Sequence, residues 1–175
     1  MMAHPWFDDM AAASRKPTRS ERSEAMDEIM VRLDAIDSNF EERPSLLKRL
    51  PFPSNSDAMG NIFISLMLPA MGAINDAADK AVARLEMTRI AFTLAVFRAE
   101  NGSYPAKLAD LGPKYLAQVP KDIFSDGEFR YEAIEGGYRL WSIGLNGRDD
   151  GGEGPDVEDY EGDGDDLLIA TPKRE

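Results

Sequence analysis

Hydrophobic positions along the chain fall into stretches of unlike period. Met26, Ile29, Met30, Leu33 and Ile36 recur at steps of three and four, the spacing of one face of an amphipathic helix, and Ser20 followed by Glu24 reads as its start. Phe40 to Leu50 would continue it as a second short helix, interrupted near Pro44, before Pro51, Pro53, Ser54, Asn55 and Ser56 break the pattern. From Ala58 to Asn75 no residue is charged, and Ile62, Phe63, Ile64, Leu66, Met67, Leu68, Met71 and Ile74 make this the most apolar segment. It holds Ser65, Pro69 and Gly72 and falls short of the ~20 clean apolar residues of a bilayer span. Burial against the residue 20–50 appendage or a partner surface is therefore expected of it. An interfacial helix would carry Lys or Arg on its polar face, and none is present.

Helical spacing continues beyond. Met87, Ile90, Ala91, Leu94, Phe97 and Ala99 trace an apolar stripe, with Arg84, Glu86, Arg89 and Arg98 mostly off it. Asn101-Gly102 supplies the stop, and Pro105 prevents a restart. One long helix is expected over most of Asn61 to Glu100. It should bend or break at Pro69, because an interior proline removes a backbone hydrogen bond and clashes with the preceding turn.

Leu108, Leu111, Tyr115 and Leu116 suggest a helical turn or two packed on that helix. Phe129 to Ala133 alternates apolar with charged, Gly136-Gly137 gives a turn, and Tyr138 to Ile143 returns with apolar groups on both faces. One face of that strand is expected on the helix and the other on the tail. Trp141 and the methionines 59, 67, 71 and 87 are read as core, and Tyr104 as packed on its own helix. The fold class is α+β, a long helix packed on a small antiparallel sheet. The organisation expected is a mobile arm over 1–19, a helical appendage and linker over 20–57, and a folded domain over 58–175.

Charge changes the picture at one place. Of the net charge of −12, most sits between Asp149 and Asp166, where seven Asp and three Glu meet no basic residue. The overall sign excludes nucleic acid, whose phosphates need a Lys/Arg surplus, and argues against adhesion to anionic lipid. With no cysteine, disulfides and thiolate metal sites are ruled out. The first residues show no basic region followed by an apolar run, so no secretory signal is read there.

The acidic window is suited to a hard cation. Calcium takes six to eight oxygens, and Asn146, Asp149, Asp150, Asp156, Asp159, Asp163, Asp165 and Asp166 offer an excess of them. Seven glycines between 144 and 164 let carbonyls turn inward as well. An EF-hand is not the pattern. Counting from Asp159 places Gly164 sixth, but Ala170 stands where the bidentate Glu belongs.

Catalytic constellations are missing from the sequence. The single histidine, His4, lies in the expected arm, and no nucleophile elbow, P-loop or dinucleotide glycine motif is present. No enzyme is expected.

The succession of motifs carries a resemblance. Phe97-Arg-Ala-Glu-Asn-Gly102-Ser-Tyr104-Pro105 ends the long helix, followed by Leu108 and Leu111, then Val119-Pro120-Lys-Asp122 and the hairpin. Ser142-Ile-Gly144-Leu-Asn146-Gly147 and the acidic stretch to Asp165-Asp166-Leu-Leu-Ile169 close the series. In this order, residues 81–169 resemble the C-terminal domain of a type II secretion major pseudopilin. The resemblance implies a pilin-like fold whose last loop is held by Ca2+, with Asn146 standing where the family tends to have Asp. It implies side-chain ligands from Asn146, Asp149 or Asp150, and Asp165 or Asp166, joined by carbonyls near Leu140 to Ile143. It further implies a non-catalytic structural or assembly subunit of the cell envelope or periplasm, with other secretion or filament subunits as partners. Residues before 58 have no counterpart in that family. Neither its leader nor its unbroken apolar helix is seen here, so membrane association would need an N-terminal segment beyond this chain. The alternative is a calcium-stabilised interaction module that kept the fold without the filament.

Overall fold

The computed structural model describes residues 5–41, 56–125 and 127–171, with side chains over 8–32, 72–125 and 127–171. Three helices, α1 (Pro5–Ser14), α2 (Arg19–Glu41) and α3 (Ser56–Asn101), precede a 3-10 turn (Leu108–Leu111) and strands β1 (Arg130–Ile134), β2 (Gly137–Ser142) and β3 (Leu167–Thr171). The chain divides into two compact units, Met1–Asn75 and Asp76–Glu175, with the division inside α3. Helix α3 continues through the Pro-free stretch beyond Pro69, and neither the uncharged segment nor the unit boundary interrupts it.

The N-terminal unit corrects one expectation. Residues read as a mobile arm carry α1, whose Met10 and Ala13 are buried with Ile29 of α2, flanked by Ala25 and Met26. Asp9 pairs with Arg32 at 2.9 Å across the two helices. The short apolar set on α1 was hidden among its alanines, but three buried residues suffice to seat ten residues of helix on a neighbour. Helix α2 also starts earlier than Ser20. The Glu21 N–H donates to Thr18 Oγ1 and the Thr18 N–H to Glu21 Oε2, the reciprocal capping box at its three-residue spacing. Ser20 and Glu24, four apart, are a surface pair one turn along. The continuation over Phe40 to Leu50 lies largely outside the described residues, as does the linker over 51–55, and His4 likewise. The side chains of Ile62, Leu66 and Leu68 are outside them too.

Helix α3 is helical without a break at Pro69, where a bend or break was expected. Among the described residues no helix is long and apolar enough to cross a membrane.

The C-terminal unit is built on the α3 stripe. Ala83, Met87, Ile90 and Leu94 are buried against Leu108, Leu111, Leu116, Phe129, Tyr138, Leu140 and Leu167. Ala91 and Phe97 pack at the margin of this core, while Ala99, read as part of the stripe, is exposed. Gly102 ends α3 at φ +81°, its N–H donating to the Arg98 carbonyl at 2.8 Å. Tyr104 lies edge-on to Tyr138 with the Arg98 guanidinium over its ring, which fixes the chain as it leaves the helix.

The sheet is antiparallel throughout, in order β1-β2-β3. Glu135 and Gly136, not Gly136 and Gly137, form the two-residue turn of the hairpin, and Ile134 pairs with Gly137. The closing element of the sequence is β3. It is a strand on the far edge, with Ser142 opposite Leu167 and Leu140 opposite Ile169. Leu167 buries completely and Ile169 packs at the margin of the same core, apolar anchors that hold the acidic tail back on the hairpin. Trp141 differs from its core assignment. It faces away from the α3 side, half-buried, with its indole under the acidic loop.

Candidate metal centre in the acidic loop

The loop from Ile143 to Asp166 begins and ends on adjacent strands, so its two ends are held a strand spacing apart. Gly144 takes φ +66°, and a Cβ there would lie 2.3 Å from Asp165 Oδ1 and 2.4 Å from its carbonyl oxygen. Only glycine lets the two ends close. Gly144→Ala is expected to be worse than an ordinary surface change by more than about 2 kcal/mol, read as a fall in chemical-denaturation midpoint.

Closure brings acids together. One carboxylate oxygen from each of Asp150, Asp165 and Asp166 lies within 4.8 Å of the others. Two ligand oxygens on opposite sides of a calcium ion are roughly 5 Å apart, so this spacing suits a shared cation. Asp165 accepts the main-chain N–H groups of Leu145 (2.8 Å) and Asn146 (3.2 Å) on Oδ2. Asp166 is fully buried, and its Oδ2 accepts the N–H groups of Gly152 (2.8 Å) and Asp150 (3.1 Å).

The other oxygen of Asp166 is the unusual atom. Oδ1 is buried and has no hydrogen-bond partner. Desolvation raises the Asp166 carboxyl above the ordinary range, and the nearby charges of Asp150 and Asp149 add to it. A buried carboxylate oxygen with nothing to hold is costly, and a cation at this point would satisfy it. The donor set is all oxygen, without nitrogen or sulfur, which fits Ca2+ or Mg2+ rather than a softer metal.

The remaining sequence-derived ligands make other contacts in this structure. Asp149 turns away from the cluster: its Oδ1 accepts from Trp141 Nε1 (3.0 Å) and its Oδ2 from Arg130 Nε (2.9 Å). Those bonds lower its carboxyl below the usual range, the indole first, against the opposing cost of desolvation. Asn146 borders the cluster but presents its amide nitrogen to Asp150 Oδ2 at 2.9 Å, while its oxygen accepts the Arg148 N–H at 2.7 Å. Of the expected carbonyl donors, Leu140 to Ser142 lie in the central strand, paired with a strand on either side, and Ile143 is the first residue beyond it. Asp156 holds Arg84 of α3 at 2.7 Å and the Leu168 N–H, so it anchors the loop.

Sequence reasoning passed over two features. The Asp150 and Gly152 amides that orient Asp166 carry no side-chain signal. Arg148 was signalled by its place, as the last basic residue before the acidic run. Compared with protein-family models, curated proteins and solved structures, the chain matches none.

Proposed function

We propose that the chain is a non-catalytic, pseudopilin-like assembly subunit of a cell-envelope secretion or filament system, its C-terminal loop stabilised by calcium. The observation that carries the assembly reading is a second apolar stripe on α3. Val82, Leu85, Phe92 and Val96 are exposed, Phe92 by 73% and Leu85 by 68%. They lie roughly 160° around the helix from Met87, Ile90 and Leu94, at about 100° per residue. With Arg89 between them they follow the alternating three- and four-residue step of a helix-to-helix seam. Arg89 is paired with Glu86 of its own helix, so the seam is not left with an isolated charge. A run of exposed apolar groups at this spacing is an interaction surface, and the partner it fits is the equivalent helix of another subunit.

Sedimentation velocity on the full chain, over a range of concentrations with calcium present, tests this. The parent should self-associate, and Leu85→Glu with Phe92→Glu should return it to monomer while leaving the melting midpoint within about 2 °C of the parent's when both are measured dilute enough to be monomeric, because neither side chain is buried. A parent that stays monomeric throughout overturns assembly through this face. If that monomer is still stabilised by calcium, the separate interaction module becomes the better reading, with the paired helices α1 and α2 as an added unit.

A further inference from the structure

Asp150 is the member of the acidic cluster that already holds a positive charge. Arg148 Nε donates to Asp150 Oδ1 at 2.6 Å, and its Nη2 reaches Asp163 Oδ1 at 3.5 Å. The other oxygen of Asp150 accepts from Asn146 Nδ2. Both oxygens are thus covered by donors from one short turn, 146 to 148. Elsewhere in the loop, arginines from the helix and sheet make different contacts: Arg130 grips Asp149, Arg139 the Gly151 carbonyl, and Arg84 Asp156. Among the described residues, Arg148 is the cation at the cluster itself.

An arginine cannot share that role with a metal ion. Its guanidinium has donors only and stays charged, so it offers nothing to a cation and repels one. For a divalent ion to take oxygens from Asp150, Asp165 and Asp166 together, it must come close to the Arg148 guanidinium held on Asp150, and repulsion between the two positive charges favours release of the arginine. The Arg148 side chain is 59% exposed while that of Asp150 is 12% exposed, so the arginine can swing into solvent and the carboxylate stays. Main-chain donors to Asp165 and Asp166 need not move, since a carboxylate oxygen has lone pairs for both.

We propose that Arg148 is an internal counter-cation that competes with a divalent metal for Asp150 and sets the affinity of the site. This rests on the calcium reading above and goes beyond it by naming the residue that tunes it. In the metal-free loop Arg148 relieves part of the repulsion among the acids; on binding it yields its place. The loop is therefore held in both states, by an internal charge or by an external one.

Isothermal titration of the full chain with calcium chloride, after dialysis against chelator, tests the competition. Arg148→Gln keeps a polar side chain of similar length without the charge and should bind roughly tenfold tighter, the scale of removing one charge close to the ion at an effective dielectric near 20 with side-chain relaxation. Arg148→Lys retains the charge and should stay within about twofold of the parent. In chelator, Arg148→Gln should melt no higher than the parent, since the loss of its partner leaves Asp150 less compensated. Equal affinity of the parent and Arg148→Gln, with clear binding in both, overturns the role of Arg148 and leaves the metal site standing. Weaker binding by Arg148→Gln also overturns it, because Arg148 would then be supporting the site. No binding heat and no calcium-dependent midpoint in either protein overturns the site and the inference together.

Discussion

Calcium at a hundredfold excess over its Kd should raise the melting midpoint of the C-terminal unit by roughly 10–20 °C, from about 2.7 kcal/mol of linkage in a unit of some hundred residues. The source of the effect is specific. Asp166 is buried with one oxygen unpartnered, and Asp150 and Asp165 stand beside it. Asp166→Asn should abolish the calcium response while leaving the chelated protein as stable as the parent or more so. The amide oxygen can still accept from Gly152 and Asp150, and the NH2 group replaces the orphan acceptor with a donor facing carboxylates. The pH dependence follows from opposite shifts. Because the folded Asp166 carboxyl is raised, its favourable contribution is present below the ordinary Asp range and is lost as pH rises through its folded value. Asp149 and Asp150 are lowered, so theirs is present above that range and lost as pH falls through their folded values. In chelator at neutral pH the balance therefore contains one unfavourable carboxylate, and calcium or Asp166→Asn removes it. A midpoint that ignores calcium in the parent would sink the metal reading. A response that survives Asp166→Asn would keep the metal but place it on other ligands.

The largest loss from a single substitution is expected at Asp122. It is 1% exposed and accepts three bonds: Ser142 Oγ on Oδ1 at 2.8 Å, the Phe124 N–H also on Oδ1 at 3.0 Å, and the Ile143 N–H on Oδ2 at 3.3 Å. These tie the segment before β1 to the end of β2, where the acidic loop departs. Asp122→Ala leaves a buried hydroxyl and a buried amide without acceptors, and should cost about 3 kcal/mol or more, a fall in midpoint of more than roughly 12 °C. Ser142→Ala removes one donor and leaves the two amide bonds intact, so it should cost only about 1 kcal/mol. Denaturant titration of both variants checks the order. A loss below that of Ser142→Ala would mean the three bonds are replaced by water and that Asp122 does not brace the loop.

Much of the C-terminal unit was readable in its sequence because its signals are local. The three- and four-residue recurrence of Met87, Ile90 and Leu94 needs only the geometry of one helix, and all three are buried. The stop at Gly102 and the alternation of Phe129 to Ala133 are equally local, and the α+β class follows from their order. The uneven placement of the acids is likewise visible in the sequence and marks the loop. Helix α1 was less legible because its burial depends on α2 being beside it. The same holds for β3: five residues after a polar run carry little periodicity, and only pairing with β2 makes them a strand.

Which acids share a point in space was beyond the sequence. Asp149 and Asp150 are neighbours with the same side chain, yet the peptide between them sends one to Trp141 and Arg130 and the other to Asp165 and Asp166. Composition could count the carboxylates but could not show that Asp166 is buried with an unpartnered oxygen, because burial depends on what folds over it. It could not separate the two apolar stripes of α3 either. Met87 and Phe92 are alike in the sequence as large apolar residues on one helix, and the sheet covers the first and leaves the second in solvent. Periodicity specifies the faces of an element, a local matter of backbone geometry. Which face is covered, and which acid turns inward, depends on contacts between residues far apart in the chain.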